Sequence, residues 1–219
     1  MPVLHLQGVL DAGTLSAVRE AVAELPFGSG AHTAAGAARR VKDNEQALPG
    51  AAADAVGQHI RDRLQAHPVF AAVRPRTIAA LRLSRYRGGM HYGLHVDAAV
   101  IDGVRTDLSF TCFLTDPDEY DGGALCIHED GGEQRIKLPA GDACLYPSAS
   151  LHEVEAVTRG ERVAAVGWVE SRLRSAEQRS VIMALDGVLD ALNDASPPAA
   201  LRPALLRVHG ALLRMWLDS

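Results

Sequence analysis

Residues 121–146 read DGGALCIHEDGGEQRIKLPAGDACLY. Three short segments, 124–128, 133–138 and 143–146, have strand character, and turn residues bound each one: Asp121-Gly122-Gly123, Asp130-Gly131-Gly132 and Pro139-Ala140-Gly141-Asp142. Glycine supplies left-handed backbone at no steric cost, proline pre-sets φ, and aspartate caps a turn with its own carboxylate, so the chain reverses at short intervals. Connections this short join antiparallel strands, because a parallel pair needs a crossover of a dozen residues or more.

Working outward, the same pattern extends in both directions. Segment 77–86 alternates Ile78, Ala80 and Arg82 with Ala79, Leu81 and Leu83, and further strands are expected at 106–114, 153–157 and 162–170. Arg87-Gly88-Gly89 and Arg159-Gly160-Glu161 are the additional turns. The expected class is mainly β with flanking α: a sandwich or jelly-roll barrel over about 76–170, not a βαβ sheet. On the N-terminal side, Leu15, Val18, Val22 and Leu25 have helical spacing up to Pro26, and a second helix over 51–65 carries Val56, Ile60 and Leu64. Residues 30–48 read as a short strand or an ordered loop. Past Ser171 the helical period returns over 176–192 with Val181, Leu185 and Val188; 193–198 is a proline-containing break, and 200–217 forms a last helix. These C-terminal helices are expected to pack on the barrel or to form a homodimer surface.

Composition bounds the function. Hydrophobic residues make up 47% of the 219 positions and charged residues 22%, the balance of a globular chain. Lys plus Arg total 22 against 27 Asp plus Glu, a net charge of -5, which argues against a nucleic-acid partner. No window approaches 18 consecutive apolar residues, and the N-terminus lacks a basic region followed by an apolar one. A soluble cytoplasmic protein without a membrane partner is expected. The three cysteines, Cys112, Cys126 and Cys144, lie in apolar stretches without a CxxC spacing and read as reduced core thiols.

The chemistry concentrates in a few residues. His95 and Asp97 form an H-x-D pair, and residues i and i+2 of an extended chain share a face. Two ligands alone are a weak signal, but His152 lies downstream where a jelly roll can return it beside the first strands. Two imidazoles and one carboxylate suit Fe(II) with positions left open, and zinc accepts the same donors. Arg162 opens the apolar run Arg162-Val163-Ala164-Ala165-Val166. A guanidinium in a barrel interior needs an acidic partner, either a carboxylate-bearing ligand or a salt bridge to Asp107 or Glu155.

The order and spacing of His95-x-Asp97, His152 and Arg162 resemble the prolyl-4-hydroxylase-like branch of the Fe(II)/2-oxoglutarate-dependent dioxygenases. More closely, segments 84–97 (SRYRGGMHYGLHVD), 105–109 (RTDLS), 116–123 (DPDEYDGG), 134–141 (QRIKLPAG), 145–148 (LYPS) and 151–154 (LHEV) resemble the bacterial PKHD-type hydroxylases. Val41-Lys42-Asp43-Asn44-Glu45-Gln46 continues the likeness, which extends to about residue 178. The chain departs from the family at Ala98-Ala99, where Asn-Ala is common, and in its final helical region.

The resemblance implies a double-stranded β-helix core in a domain spanning 1–178, with 179–219 as a helical extension packed on the barrel. His95, Asp97 and His152 would hold Fe(II), and Arg162 would bind the distal carboxylate of 2-oxoglutarate. Tyr86 would hydrogen-bond that co-substrate, or else serve as a core tyrosine. His91 is expected at the surface or behind the ligands. The implied reaction consumes O2 and 2-oxoglutarate, with L-ascorbate as a candidate reductant, hydroxylates an unactivated C–H of a peptide, protein or small molecule, and releases succinate and CO2. The alternatives are a non-catalytic iron or O2-sensing module on the same fold and a metal-dependent cupin-like hydrolase. A base-repair branch would carry a second arginine six residues after Arg162, where this chain has Trp168.

Overall fold

A computed structural model of the chain describes residues 1–33, 36, 38–129, 131–193 and 198–217. Asp130 of the expected Asp130-Gly131-Gly132 turn, and 194–197 of the expected break, lie outside the described residues. In chain order the strands are β1 (Leu4–Leu6), β2 (Phe27–Ser29), β3 (Lys42–Asp43), β4 (Glu45–Ala47), β5 (Pro75–Arg87), β6 (His91–His95), β7 (Val100–Ile101) and β8 (Val104–Arg105). They continue with β9 (Leu108–Phe113), β10 (Asp121–Gly122), β11 (Leu125–Glu129), β12 (Gly132–Ile136), β13 (Ala143–Pro147), β14 (Leu151–Val154), β15 (Val157–Arg159) and β16 (Glu161–Ser171). The helices are α1 (Ala12–Ala23), α2 (Ala51–Ala66), α3 (Pro68–Ala72), α4 (Ala176–Ala191) and α5 (Leu201–Trp216).

The larger sheet runs β1-β13-β9-β16-β5-β4-β2 and the smaller β12-β11-β14-β6-β3. Every pairing in both is antiparallel. Neighbours in each sheet are mostly distant in sequence, as in a double-stranded β-helix, and the expected jelly roll is the fold observed.

Strand alternation divides the larger sheet between two cores. On β9, Leu108, Phe110 and Cys112 face the helices, where they join Val18 and Val22 of α1, Ile60 and Leu64 of α2 and Phe70 of α3. Phe113 of the same strand faces the other way, with Tyr86 of β5, Cys144 and Tyr146 of β13, Leu125 and Ile127 of β11 and Val154 of β14. On β16 the apolar side chains of Ala165 and Val169 belong to the helix-covered layer, leaving Arg162 and Trp168 on the face toward the smaller sheet. All three cysteines are buried and unpaired, and burial pushes the Cys112 and Cys144 thiols up to about 12.

The local sequence explains the helix boundaries. Asp11 caps α1 by accepting from the Thr14 N–H at 2.8 Å. His67 caps α3 through Nδ1, which accepts from the Val69 N–H at 3.2 Å, and Pro68 occupies the first turn. This short helix has too few residues to show a period. Three further features matter for the site. His95 belongs to a separate strand, β6, in the opposite sheet from β5, because the Arg87-Gly88-Gly89 turn ends the long strand. The expected strand at 153–157 is divided between β14 and β15, since Glu155 and Ala156 turn to bond Ala124 and Gly123. The 30–48 segment contains both readings, two short strands and two 3-10 turns.

At the C-terminus, α4 lies against the barrel. Arg74 donates to both carboxylate oxygens of Asp186 at 3.0 and 2.7 Å, and Ile182 and Leu189 are buried. Helix α5 rests on α4, with His209 Nε2 2.9 Å from Asp186 Oδ1, and has no fully buried residue. No helix among the described residues is long and apolar enough to cross a membrane.

Candidate metal centre and its cavity

Strands β6 and β14 are antiparallel neighbours in the smaller sheet, and their register sets His152 directly opposite His95. Asp97 follows two residues beyond, just past the end of β6. The three side chains converge: His95 Nε2 is 3.8 Å from Asp97 Oδ1, His152 Nε2 is 3.7 Å from Asp97 Oδ2, and the imidazole centroids are 4.2 Å apart. Their donor atoms all lie within 4.8 Å of one another. All three side chains are more than nine-tenths buried.

The surroundings settle which nitrogen is available. His95 Nδ1 lies 2.8 Å from the Gly93 carbonyl, and His152 Nδ1 lies 2.9 Å from the Ser150 carbonyl. A carbonyl only accepts, so each Nδ1 carries the proton and each Nε2 presents a lone pair toward Asp97. Burial, reinforced by His152, holds the His95 imidazole well below its ordinary pKa and so neutral. Ser109 of β9 donates to Asp97 Oδ2 at 2.6 Å, and its hydroxyl is 2.9 Å from that of Ser148. The Tyr92 ring stacks on His95 at 3.6 Å with planes 15° apart. These donors and stacks fix ring and carboxylate orientations before any ion arrives.

The cluster opens into a cavity of about 510 Å³ lined from both sheets, a size suited to small organic ligands. Arg162 lines it with 1% exposure beside the Tyr120 phenol, and none of its three guanidinium nitrogens has a hydrogen-bond partner among the described residues. Its guanidinium carbon stands 5.2 Å from the Tyr86 ring centroid and 5.3 Å from that of Phe113. Gly123, with φ +64°, lets the chain pass beside it, since a Cβ there would sit 3.1 Å from Arg162 Cδ. The two salt-bridge partners considered from sequence are occupied elsewhere: Asp107 accepts from Arg105 and Glu155 from Arg135. A buried guanidinium without counter-charge is costly, and an anionic ligand would compensate it. The residues present therefore fit both a divalent metal and a carboxylate-bearing co-substrate.

Tyr86 lines the same cavity, 3% exposed, and Tyr92 and Tyr146 line it too. Burial raises the pKa of all three, so each stays a neutral phenol at physiological pH. His91 is exposed and outside the lining. Sequence reasoning did not single out Ser109, Arg82 or Trp168 for the site. Ser109 and Arg82 lie on strands where only inward alternation, counted from a known interior residue, could have identified them.

A jelly roll that presents two histidines and one aspartate on adjacent strands, beside a cavity with a buried arginine, has the donor set of a non-haem iron oxygenase. The sequence profile described as the 2OG-Fe(II) oxygenase superfamily matches residues 81–170. A PKHD-type hydroxylase from Maricaulis maris is 43% identical over 218 residues, covering 99% of this chain and 100% of the relative. Among solved structures, a Pseudomonas putida prolyl-4-hydroxylase superposes with a TM-score of 0.52 at 22% identity, covering 77% of this chain and 92% of that one. HygX from Streptomyces hygroscopicus, solved with nickel and 2-oxoglutarate, gives a TM-score of 0.56 at 13% identity and covers 77% of this chain and 82% of its own. The chain belongs to the PKHD-type hydroxylases of the 2OG-Fe(II) oxygenase superfamily. It is therefore a dioxygenase that uses Fe(II) and 2-oxoglutarate, which sets aside the cupin-like hydrolase and the non-catalytic sensing module.

Proposed function

We propose that His95, Asp97 and His152 hold Fe(II), that Arg162 receives the distal carboxylate of 2-oxoglutarate with Tyr86 beside it, and that the enzyme hydroxylates an unactivated C–H of a small-molecule or peptide substrate. The observation that carries this reading is the pairing of a convergent His-Asp-His cluster with an unpartnered buried arginine in one cavity. Fe(II), when bound, supplies the O2 activation that couples oxidative decarboxylation of 2-oxoglutarate, giving succinate and CO2, to hydroxylation of carbon.

The protein's own groups do the rest. The Gly93 and Ser150 carbonyls hold both imidazoles in the Nδ1–H tautomer, and Ser109 keeps one Asp97 oxygen hydrogen-bonded while the other faces His95. Leu125 and Val154 give the cavity apolar walls that exclude water. The neutral tyrosines offer O–H donors without adding a competing anion. L-ascorbate would serve as external reductant.

The oxygenase unit spans 1–178 in this reading, and 179–219 is an extension carried on the barrel. A cytoplasmic location agrees with three unpaired cysteines. Self-association through the apolar C-terminal helices would use exposed Val188, Leu206, Val208 and Met215, and sedimentation of the full chain tests it.

The catalytic reading is tested by adding Fe(II) and 2-oxoglutarate to the protein without oxygen and recording the visible metal-to-ligand charge-transfer band. The band is expected in the wild type and absent after His152→Ala. A wild-type protein that shows no band would refute the assignment of these residues.

A further inference from the structure

The segment Lys42-Asp43-Asn44-Glu45-Gln46 has one alternate set, Lys42, Asn44 and Gln46, facing the cavity. Gln46 is satisfied, with its amide nitrogen donating to Ser84 Oγ at 3.2 Å and its oxygen accepting from Thr33 at 2.8 Å. Asn44 is not: it is 4% exposed, and although it lies beside the Tyr86 phenol, neither its amide oxygen nor its nitrogen has a hydrogen-bond partner among the described residues. Lys42 and Arg82 both reach Thr33, Lys42 Nζ donating to its hydroxyl at 2.8 Å and Arg82 Nη1 to its carbonyl at 3.0 Å. Neither cation makes an ion pair among the described residues; Asp102 also lines this part of the cavity and attracts Arg82 only at longer range. Arg82 stands 5.2 Å from the Trp168 ring, and the indole Nε1–H, in a side chain nine-tenths buried, is a further donor without an acceptor among the described residues.

Two cations, a buried indole N–H and an unsatisfied amide thus meet in one cavity with a shortage of acceptors. This group is separate from Arg162. Arg82 lies four residues before Tyr86 on β5, and Tyr86 is the register partner of Arg162, so the two arginines are about 13 Å apart along the sheet. Buried donors without acceptors carry a desolvation cost that an anionic acceptor removes.

We propose that Lys42, Arg82 and the Trp168 indole N–H form a subsite for a carboxylate carried by the substrate, with the Asn44 amide pairing to a neighbouring polar group of the same molecule. The assignment rests on the reading of this cavity as the 2-oxoglutarate oxygenase site. It makes the substrate an organic acid, or a polypeptide presenting an acidic side chain, rather than a neutral or cationic molecule.

The test uses full-length protein loaded with Zn(II) and 2-oxoglutarate, calorimetry for affinity, and the Trp168 indole N–H resonance, assigned by its loss in Trp168→Phe. The probes are N-acetylglycine and its neutral counterpart N-acetylglycinamide. The acid is expected to shift the Trp168 resonance and to bind roughly tenfold more tightly than the amide. Lys42→Met and Arg82→Gln should each weaken the acid roughly tenfold and leave the amide unchanged, while Lys42→Arg retains the preference. Unaltered 2-oxoglutarate affinity in these variants shows an intact cavity.

Equal binding of acid and amide, an unmoved Trp168 resonance, or undiminished acid binding in both charge-removing variants would overturn the proposal. So would a parallel loss of 2-oxoglutarate, which would assign these cations to the co-substrate, or tighter binding of inorganic phosphate than of the acid. N-acetylaspartic acid N-methylamide distinguishes the two supporting sources: binding tighter than that of N-acetylglycine points to an acidic polypeptide side chain, and weaker binding to a free acid. If the wild type fails to take up 2-oxoglutarate yet still discriminates acid from amide, the reaction assignment falls and the anion subsite stands.

Discussion

Two arginines are buried among the described residues, and their surroundings differ. Arg179, at the start of α4, is 3% exposed and donates from Nη1 to the Leu173 and Arg174 carbonyls at 2.7 and 3.0 Å, fastening the helix to the end of β16. Arg162, at the other end of β16, is 1% exposed and makes no hydrogen bond among the described residues. The first lies where backbone acceptors converge; the second projects into a cavity walled by aromatic rings. Arg179 is met by backbone at Nη1 while its Nε has no partner among the described residues; a buried charge that the fold satisfies in part costs less stability than one left wholly unsatisfied, which reserves its interactions for a ligand. Stability and ligand binding should therefore respond oppositely at the two positions.

The largest expected effect breaks the ligand side of that contrast at its centre. His95→Ala, Asp97→Ala or His152→Ala should each abolish succinate formation from 2-oxoglutarate in a coupled turnover assay, because a two-ligand remnant no longer fixes the metal. Full activity in any of these variants would remove that residue from the ligand set. Next, Arg162→Ala should weaken 2-oxoglutarate by roughly a hundredfold in calorimetry, the loss expected when a buried charge-assisted pair is cut. Its melting temperature without ligand should fall little or rise, since the variant deletes an uncompensated charge.

Arg179→Ala should show the converse. Unfolding in urea should reveal a loss of about 1–3 kcal/mol from the stranded Leu173 and Arg174 carbonyls, with 2-oxoglutarate affinity retained. Comparable affinity losses in the two variants would dissolve the distinction. The smallest effect belongs to Ser109→Ala, which frees Asp97 to rotate: metal affinity should drop about tenfold, read by competition with a chelator, while the fold persists. Saturating 2-oxoglutarate should also raise the melting temperature of the wild type more than that of Arg162→Ala, since only binding to the folded state stabilises it.

Much of the fold was legible because turn chemistry is local. The Gly- and Pro-containing turns around 121–146 mark β11, β12 and β13 closely, and the apolar spacing of α1, α2, α4 and α5 announced helices near their observed bounds. What escaped had too little sequence to show a period: α3 with five residues, and strands of two or three such as β2 and β7. The division of the expected 153–157 strand escaped for another reason. Its residues suit a strand, but Ala156 accepts from Gly123 N–H, so pairing with the 121–124 segment bends the chain away from β14.

The candidate site divides in the same way. His95, Asp97, His152 and Arg162 were readable as a spaced pattern of chemically distinctive side chains, and Lys42, Asn44 and Gln46 were visible within the family likeness of 41–46 although their purpose was not. Ser109, Arg82 and Trp168 carry no such mark. Ser109 is an ordinary serine within a strand until β9 is placed opposite the end of β6, where its hydroxyl meets Asp97 at 2.6 Å.

The amino-acid sequence by itself determined the succession of strands and turns, the helical flanks and the types of donor available, because these follow from local propensity and side-chain chemistry. Only the tertiary structure decided which donors meet. The register of β14 against β6 sets His152 opposite His95, the pairing of Asp107 and Glu155 with other arginines leaves Arg162 free, and the facing of two sheets encloses Lys42, Arg82 and Trp168 in one cavity. The physical reason is that charge compensation and convergence depend on distance in space, and a jelly roll brings together residues far apart in the chain.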